Sequence, residues 1–329
     1  MKPPRRAGPW MGMALAALAL GLPFALQGNR FLAFVFGLTM INVLWAAGMN
    51  LLYGYVGLMP LMFAGIAGIS AYGMVHLRGE GWSFWTAMPT SALFASAIGV
   101  LLGLPSLRLK GFYFTLCSLV IQSALTLAFI FFPKYTNGDT GINQIPPPSL
   151  PFVGPLTGLG HDLLLATLAV LGVAFVAWLV PTRLGQRFIA IREDDVLAAT
   201  LGVDVVRTRF IAFFIVSLFA AIGGCFYAPY VGFISPRSFD VLVSLNVWLF
   251  VAFGGRGTVF GPVLGAAVLA PIPYLLQELQ AVKDIISGVL IIVVTLALPG
   301  GVVGELRRRR VRRLAAPAPA ASELPEQGA

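Results

Sequence analysis

The 329-residue chain is 58% hydrophobic and 11% charged, with a mean hydropathy of +0.88. That is too apolar for one water-soluble core to hide its side chains, and the chain reads as a membrane protein. A net charge of +9 could serve nucleic acid, but the basic residues sit in short segments between apolar runs, as cytoplasmic loop charges do, which excludes that class.

Apolar runs of helix-spanning length predict spans near 10 to 27, 31 to 53, 58 to 77, 82 to 104, 112 to 133, 162 to 180, 209 to 231, 241 to 254, 262 to 278 and 285 to 299. The fold class is therefore all-α, a polytopic membrane protein with ten expected helices, of which the eighth and tenth are short. The opening "MKPPRRAGPWMGMALAALALGLPFALQG" has the basic start and short apolar stretch of a cleaved signal peptide. Its removal would leave nine spans and upset the charge distribution, which favours a retained first helix. With the N-terminus inside, 17 of the 22 basic residues are cytoplasmic and only Arg30, Arg78, Lys134, Arg237 and Lys283 lie outside, so both termini are expected in the cytoplasm. This divides the chain into a transmembrane domain, 1–304, with an outer loop at 134–161 and a cytoplasmic loop at 181–208, and a tail, 305–329. The tail is basic, then Ala/Pro-rich, and is expected to be disordered.

Asn42 and Asn50 in the second span either line a polar path or tie helices together. "YGYVGLMP" (Tyr53 to Pro60) is expected to open the third span, "GFISPRSF" (Gly232 to Phe239) to precede the eighth, and "GGRGTVFGP" (Gly254 to Pro262) to follow it. Gly and Pro near a span end free backbone groups that need buried partners or a watery cavity. Broken helices around a substrate path are one reading; tight turns and close packing are the other. The first two clusters hold matching places in two five-helix halves, as an inverted repeat requires. "GISA" (Gly68 to Ala71) faintly resembles a buried serine nucleophile, but no histidine lies at depth to activate Ser70, so helix packing is favoured.

In the fifth span Thr115, Ser118, Gln122 and Thr126 share one helix face, which fits a polar path and interhelical glue equally well. Gly57, Gly65 and Gly232 complete the candidate path residues. Cys117 and Cys225 lie in apolar runs without metal-ligand spacing and read as packing residues. No ionisable residue lies deep in a span: Asp162 and Glu278 sit at edges, and His76 and His161 at outer helix ends. That pattern argues against an ion-coupled carrier and against an intramembrane protease.

The segment "RFIAIREDDVLAATLGVDVVRTRF" (Arg187 to Phe210) gathers Arg192, Glu193, Asp194 and Asp195 into one charged knot. Asp194 or Asp195 can cap a helix, "VLAAT" supplies helix formers, and Gly202 fits the position just past the end, which predicts a short cytoplasmic helix. With Arg192 and Glu193 at its mouth and the small faces of Ala198 and Ala199 exposed, it suits a groove on a soluble partner. A solvated surface helix is the alternative.

"AIREDDVLAATLGVDVVRTRF", "YVGFISPRSF" and "GGRGTVFGPVLGA" resemble the successive signature segments of branched-chain amino-acid ABC importer permeases, in particular the LivM-type subunit. "TNGDTGINQIP" (Thr136 to Pro146) is similar to that family's outer-loop motif and "LRLKGFYFTLCSL" to the segment before it; the resemblance runs from about residue 40 to Gly304. It implies an inner-membrane permease, not an enzyme, with no cofactor of its own. The implied partners are a second, LivH-like permease subunit, two ATPase subunits that use ATP, and an extracytoplasmic solute-binding protein. In such an importer the cytoplasmic loop docks into an ATPase, which makes Arg192, Glu193, Asp194, Ala198, Ala199 and Gly202 the expected coupling residues. This agrees with the absence of a Gly-x4-Gly-Lys-Ser/Thr phosphate loop.

Departures from the family pattern are Pro60, Met62 and Phe63, where it usually reads Ser and then Gly-His two residues on, and Thr200, where an acidic residue is common. The substrate stays open among branched-chain and other amino acids, urea or amides, and aromatic acids. An ATPase-independent carrier or facilitator for a small solute such as urea is the alternative.

Overall fold

The computed structural model describes residues 9–109, 111–150, 154–275 and Val289. Chain order begins with α1 (Pro9–Ala25), α2 (Arg30–Asn50) running on through a π-helical turn (Leu51–Val56), and α3 (Phe63–Gly79). Next come α4 (Phe84–Leu107), α5 (Gly111–Phe131) and the single turn α6 (Pro133–Thr136). A loop carrying the two-residue strands β1 (Ile142–Asn143), β2 (Ser149–Leu150) and β3 (Gly154–Pro155) leads to α7 (Leu159–Leu179), α8 (Arg183–Glu193), α9 (Asp195–Thr200) and α10 (Val205–Val231). After β4 (Phe233–Ile234) and a 3-10 turn follow α11 (Val241–Gly254), α12 (Gly261–Leu269) and α13 (Ile272–Leu275).

Helix is present in the first nine expected spans; the tenth, 285–299, lies outside the described residues except for Val289, as does the tail at 305–329. Among the described residues six helices are long and apolar enough to cross a membrane. The long helices are apolar all round rather than on one stripe, so neighbours and lipid, not a water-facing side, decide which faces are covered. The central helix α2 has 72% of its apolar window buried, whereas α5 has 22%, which places α5 at the rim of the bundle. Against α2 pack α7, α10, α11 and α12, and α10 also packs along α3 and α4.

Short side chains let these helices approach. Ser70 Oγ lies 2.7 Å from the Ala221 carbonyl and 2.8 Å from that of Ala67, and Ser91 Oγ donates to the Ser70 carbonyl at 2.7 Å, so Ser70 joins α3, α4 and α10. Cys225 is buried in the same contact and Cys117 is half-buried; both are free thiols.

Several boundaries differ from expectation for identifiable reasons. "YGYVG" closes the second helix instead of opening the third, because α2 continues to Val56 and stops only at Gly57. The third helix starts at Phe63, after an irregular stretch at Leu58–Met62. The 181–208 loop is mostly helical, since Thr182, Asp194 and Asp204 each cap a new helix with a side-chain oxygen. Helix α10 consequently begins at Val205, and Arg209, expected at its edge, lies inside it.

Two helical stretches, Arg30–Val56 and Val205–Val231, are each 27 residues long. Each ends on a glycine in the left-handed region, Gly57 at φ +87° and Gly232 at φ +76°, which a side chain would strain. A non-helical stretch follows in both cases, and then a shorter helix, α3 or α11. The two breaks lie at opposite ends of the bundle. The first adjoins the α8–α9 knot; the second pairs with the loop between α6 and α7 through Ile142↔Ile234.

A Cβ added at Gly224 would stand 2.2 Å from the Ala67 carbonyl oxygen, a backbone atom that cannot swing aside. Gly224→Leu is therefore expected to destabilise the bundle by about 1–3 kcal/mol, read as a lowered midpoint in a thermal unfolding assay in detergent.

Candidate functional site

At the knot end, Asp194 caps α9 by accepting from Val196 N at 2.9 Å and Leu197 N at 3.0 Å, and Gly202 leaves the helix at φ +84°. Asp195 pairs with Arg209 at 3.2 Å, fastening the knot to α10. Arg209 is buried, and the carboxylate beside it offsets the cost of removing the guanidinium from water.

Ala198 corrects an expectation. Its side chain is buried, because α9 turns that face onto the bundle, and only Ala199 is exposed. The outward surface is instead Val196, Leu197 and Leu201, at 61%, 57% and 76% exposure. The signal for this was available in the helical spacing of those three residues, but only the buried face fixes the phase of so short a helix.

Arg192 is only partly a surface group. Its Nη1 donates to the Gly54 carbonyl at 2.6 Å, while Nε and Nη2 donate to Glu193 Oε1. One turn before Gly54, the fully buried Asn50 donates through Nδ2 to the Thr258 carbonyl at 2.8 Å and accepts from Gly257 N at 3.0 Å. The knot, the end of α2 and the "GGRGTVFGP" turn thus meet at one place.

Near mid-bundle the polar stripe of α5 faces the start of α3. The Leu61 amide donates to Ser118 Oγ at 3.0 Å, the Gly65 amide to Gln122 Oε1 at 2.8 Å, and the Ala64 amide to Ser244 Oγ of α11 at 2.9 Å. Gln122 Nε2 donates to the Phe239 carbonyl at 2.8 Å, just before α11. Thr126 Oγ1 bonds the Gln122 side chain and carbonyl, and the Thr115 carbonyl accepts from Ser118 Oγ. Ser118 and Gln122 are fully buried, with Thr115 and Thr126 half-buried beside them.

Gly65 must be small, since a Cβ there would stand 2.6 Å from Leu125 and 2.9 Å from Gln122 Oε1. Pro60, Met62 and Phe63 are buried, and Phe63 meets the Trp45 ring edge-on at 6.3 Å, so these departures serve as core in this arrangement. Gly57 faces the Arg192 stem, whereas nothing lies within 4 Å of a Cβ built at Gly232.

At the opposite end, Tyr230 Oη donates to Asp162 at 2.8 Å while the His161 ring packs edge-on against it at 4.9 Å. Sequence reading placed Asp162 and His161 at a helix edge without a partner; Tyr230, in a different apolar helix, gave no signal. Among the described residues no three metal-ligating side chains converge.

Two interrupted helices held from their flanks, in a largely helical bundle with a charged knot at one end, are an arrangement that membrane permeases use. The chain belongs to the family described as branched-chain amino acid transport system / permease component, which it matches over residues 31–295. It is 30% identical over 319 residues to the high-affinity branched-chain amino acid transport system permease protein LivM of Escherichia coli, covering 90% of this chain and 75% of that one. It is 29% identical, with the same coverage, to LivM of Salmonella typhimurium. The LivH permease protein of Salmonella typhimurium is 26% identical over 188 residues, 54% of this chain and 61% of that one. No solved structure matches. The chain is a permease component of an ABC importer in a bacterial inner membrane.

Gln122→Leu would strand the Gly65 amide and the Phe239 carbonyl at about 1–3 kcal/mol each. The expected result is a large fall in thermal midpoint. Ser123→Ala, on the exposed side of α5 where the hydroxyl bonds only its own helix, should leave that midpoint unchanged.

Proposed function

We propose that this chain is the LivM-type half of an importer for branched-chain or related amino acids. It would work beside a LivH-like permease, two ATPase subunits that bind and hydrolyse ATP, and an extracytoplasmic solute-binding protein. Both termini and the 181–208 loop face the cytoplasm in this reading, on the strength of the basic-residue bias.

The observation that carries the ATPase partnership is the exposed ridge Val196, Leu197 and Leu201 on a six-residue helix that is capped by Asp194 and pinned by Asp195. Three exposed apolar side chains on a short, firmly based helix are costly in water and suit a partner's groove. The roles of Arg192, Glu193, Asp194, Ala198 and Gly202 are then to shape and aim the ridge, while Ala199 shares its outer face.

The two 27-residue stretches with their following breaks are read as the corresponding parts of an inverted repeat. The stripe Thr115, Ser118, Gln122 and Thr126, with Gly57, Gly65 and Gly232, frames the path. Gln122 bonds the first turn of α3 and Phe239 just before α11, the two segments that follow the breaks, so it is the fixed point about which either side opens. Closure of the ATPases on ATP would rock the halves as rigid bodies.

Leu197→Asp or Leu201→Asp is expected to leave membrane insertion and abundance intact while abolishing co-purification of the ATPases in mild detergent. Glu193→Arg should weaken the same association less. Ala198→Trp should lower abundance instead, because Ala198 is buried. Full ATP-driven transport with either aspartate variant would sink the docking assignment.

A further inference from the structure

The fitted stack of side chains and backbone beneath the knot has a mechanical meaning. Three segments far apart in sequence, two of them carrying a glycine, meet there in close contact. A Cβ at Gly54 would stand 2.0 Å from Asn50 Oδ1 and 2.5 Å from Gly257 N, and a Cβ at Gly257 would stand 2.6 Å from Arg192 Nη1 and 3.0 Å from the Gly54 carbonyl. The turn at the far side is itself stiffened, with Thr258 Oγ1 donating to the Gly255 carbonyl at 2.8 Å and accepting from Gly261 N at 3.1 Å at the start of α12.

Gly54 lies in the π-helical turn, whose wider winding is a common mark of functional positions. The same knot holds α10 through Asp195 and Arg209. The α8–α9 corner therefore holds the end of α2 through Arg192 and the start of α10 through Asp195, while Asn50 of α2 holds the α11–α12 turn.

We propose that Asn50 and Arg192 are positioning residues of a transmission joint: Arg192 hands displacement of the α8–α9 corner to the Gly54 carbonyl, and Asn50 passes it on to the Gly257–Thr258 turn, so that the first break and the α11–α12 turn respond to one input. The inference rests on the importer reading above, and neither residue needs to touch the substrate or an ATPase. Closely packed groups transmit small shifts, because such contacts are not continuously deformable.

The test uses the complete importer in proteoliposomes. Asn50→Leu keeps the branched outline of the side chain, with bulkier ends, and removes both hydrogen bonds. ATP hydrolysis and subunit stoichiometry should stay at wild-type levels, while transport falls about tenfold and the ATP consumed per substrate rises by the same factor. Spin labels at Thr200→Cys and Arg256→Cys, both exposed positions, in a background lacking Cys117 and Cys225, give a second readout. Their separation should be single-valued and unaltered by ATP in the otherwise wild-type complex, and broadened by Asn50→Leu.

Arg192→Lys retains a donor toward Gly54 and should transport better than Arg192→Met, which has none. Wild-type ATP cost in Asn50→Leu, an ATP-dependent change in the label separation without it, or equal transport by the two Arg192 variants would each overturn the joint. If Asn50→Leu fails to assemble, the Arg192 comparison decides alone. Transport by the wild-type chain without any ATPase would instead overturn the importer reading, a separate result.

Discussion

A helix interrupted inside a membrane exposes amides and carbonyls that have no water to bond, and the rest of this bundle is arranged to supply the missing partners. The first break is met by Ser118, Gln122 and Ser244 on the α3 side and by Arg192 at the Gly54 carbonyl on the α2 side, while Asn50 serves the α11–α12 turn. The second is met by Gln122 at Phe239, by Asp240 capping α11, and by the strand pair with the loop between α6 and α7. Most polar side chains in this greasy interior that might have been taken for substrate ligands are thus already engaged by the backbone. A break held by side chains from other helices can also be released or re-formed when those helices move, which a continuous helix cannot do.

The class of protein was legible because hydropathy and charge placement are summed over many residues. Helix positions followed for the same reason. The orientation of α9 was not legible: six residues give no reliable phase, and the capping signal at Asp194 says where the helix starts but not which way Ala198 points. The stripe on α5 was seen as a stripe, and its two possible uses could be separated only by what stands opposite. That information resides in Gly65 and Phe239, 57 and 117 residues from Gln122. Asn50 was noticed, but its partner is the backbone of a glycine-rich turn, and backbone partners leave no mark on residue identity.

The bundle also keeps structure and action in different places. Its interior around α2 is tightly packed, with Trp45 donating to the Ala220 carbonyl and Tyr227 stacked beside it, a framework suited to moving as a block. The exposed apolar face of α5, with Phe112, Tyr113, Val120 and Leu127, lies on the other side of the same helix that carries Gln122. One helix thus separates the most ordered polar contacts from the least enclosed surface.

Those long-range contacts bear on how the chain is made. The Leu61 amide has to await Ser118, 57 residues later, and the Ala64 amide has to await Ser244, 180 residues later. At ordinary rates of synthesis, about 5–20 residues per second, the second wait lasts on the order of ten seconds or more. Throughout that interval the Ala64 amide at the start of α3 lacks the partner it has in the finished bundle. The start of α3 therefore reaches its finished hydrogen bonding only after residue 244 has been made and α11 has come to lie beside it.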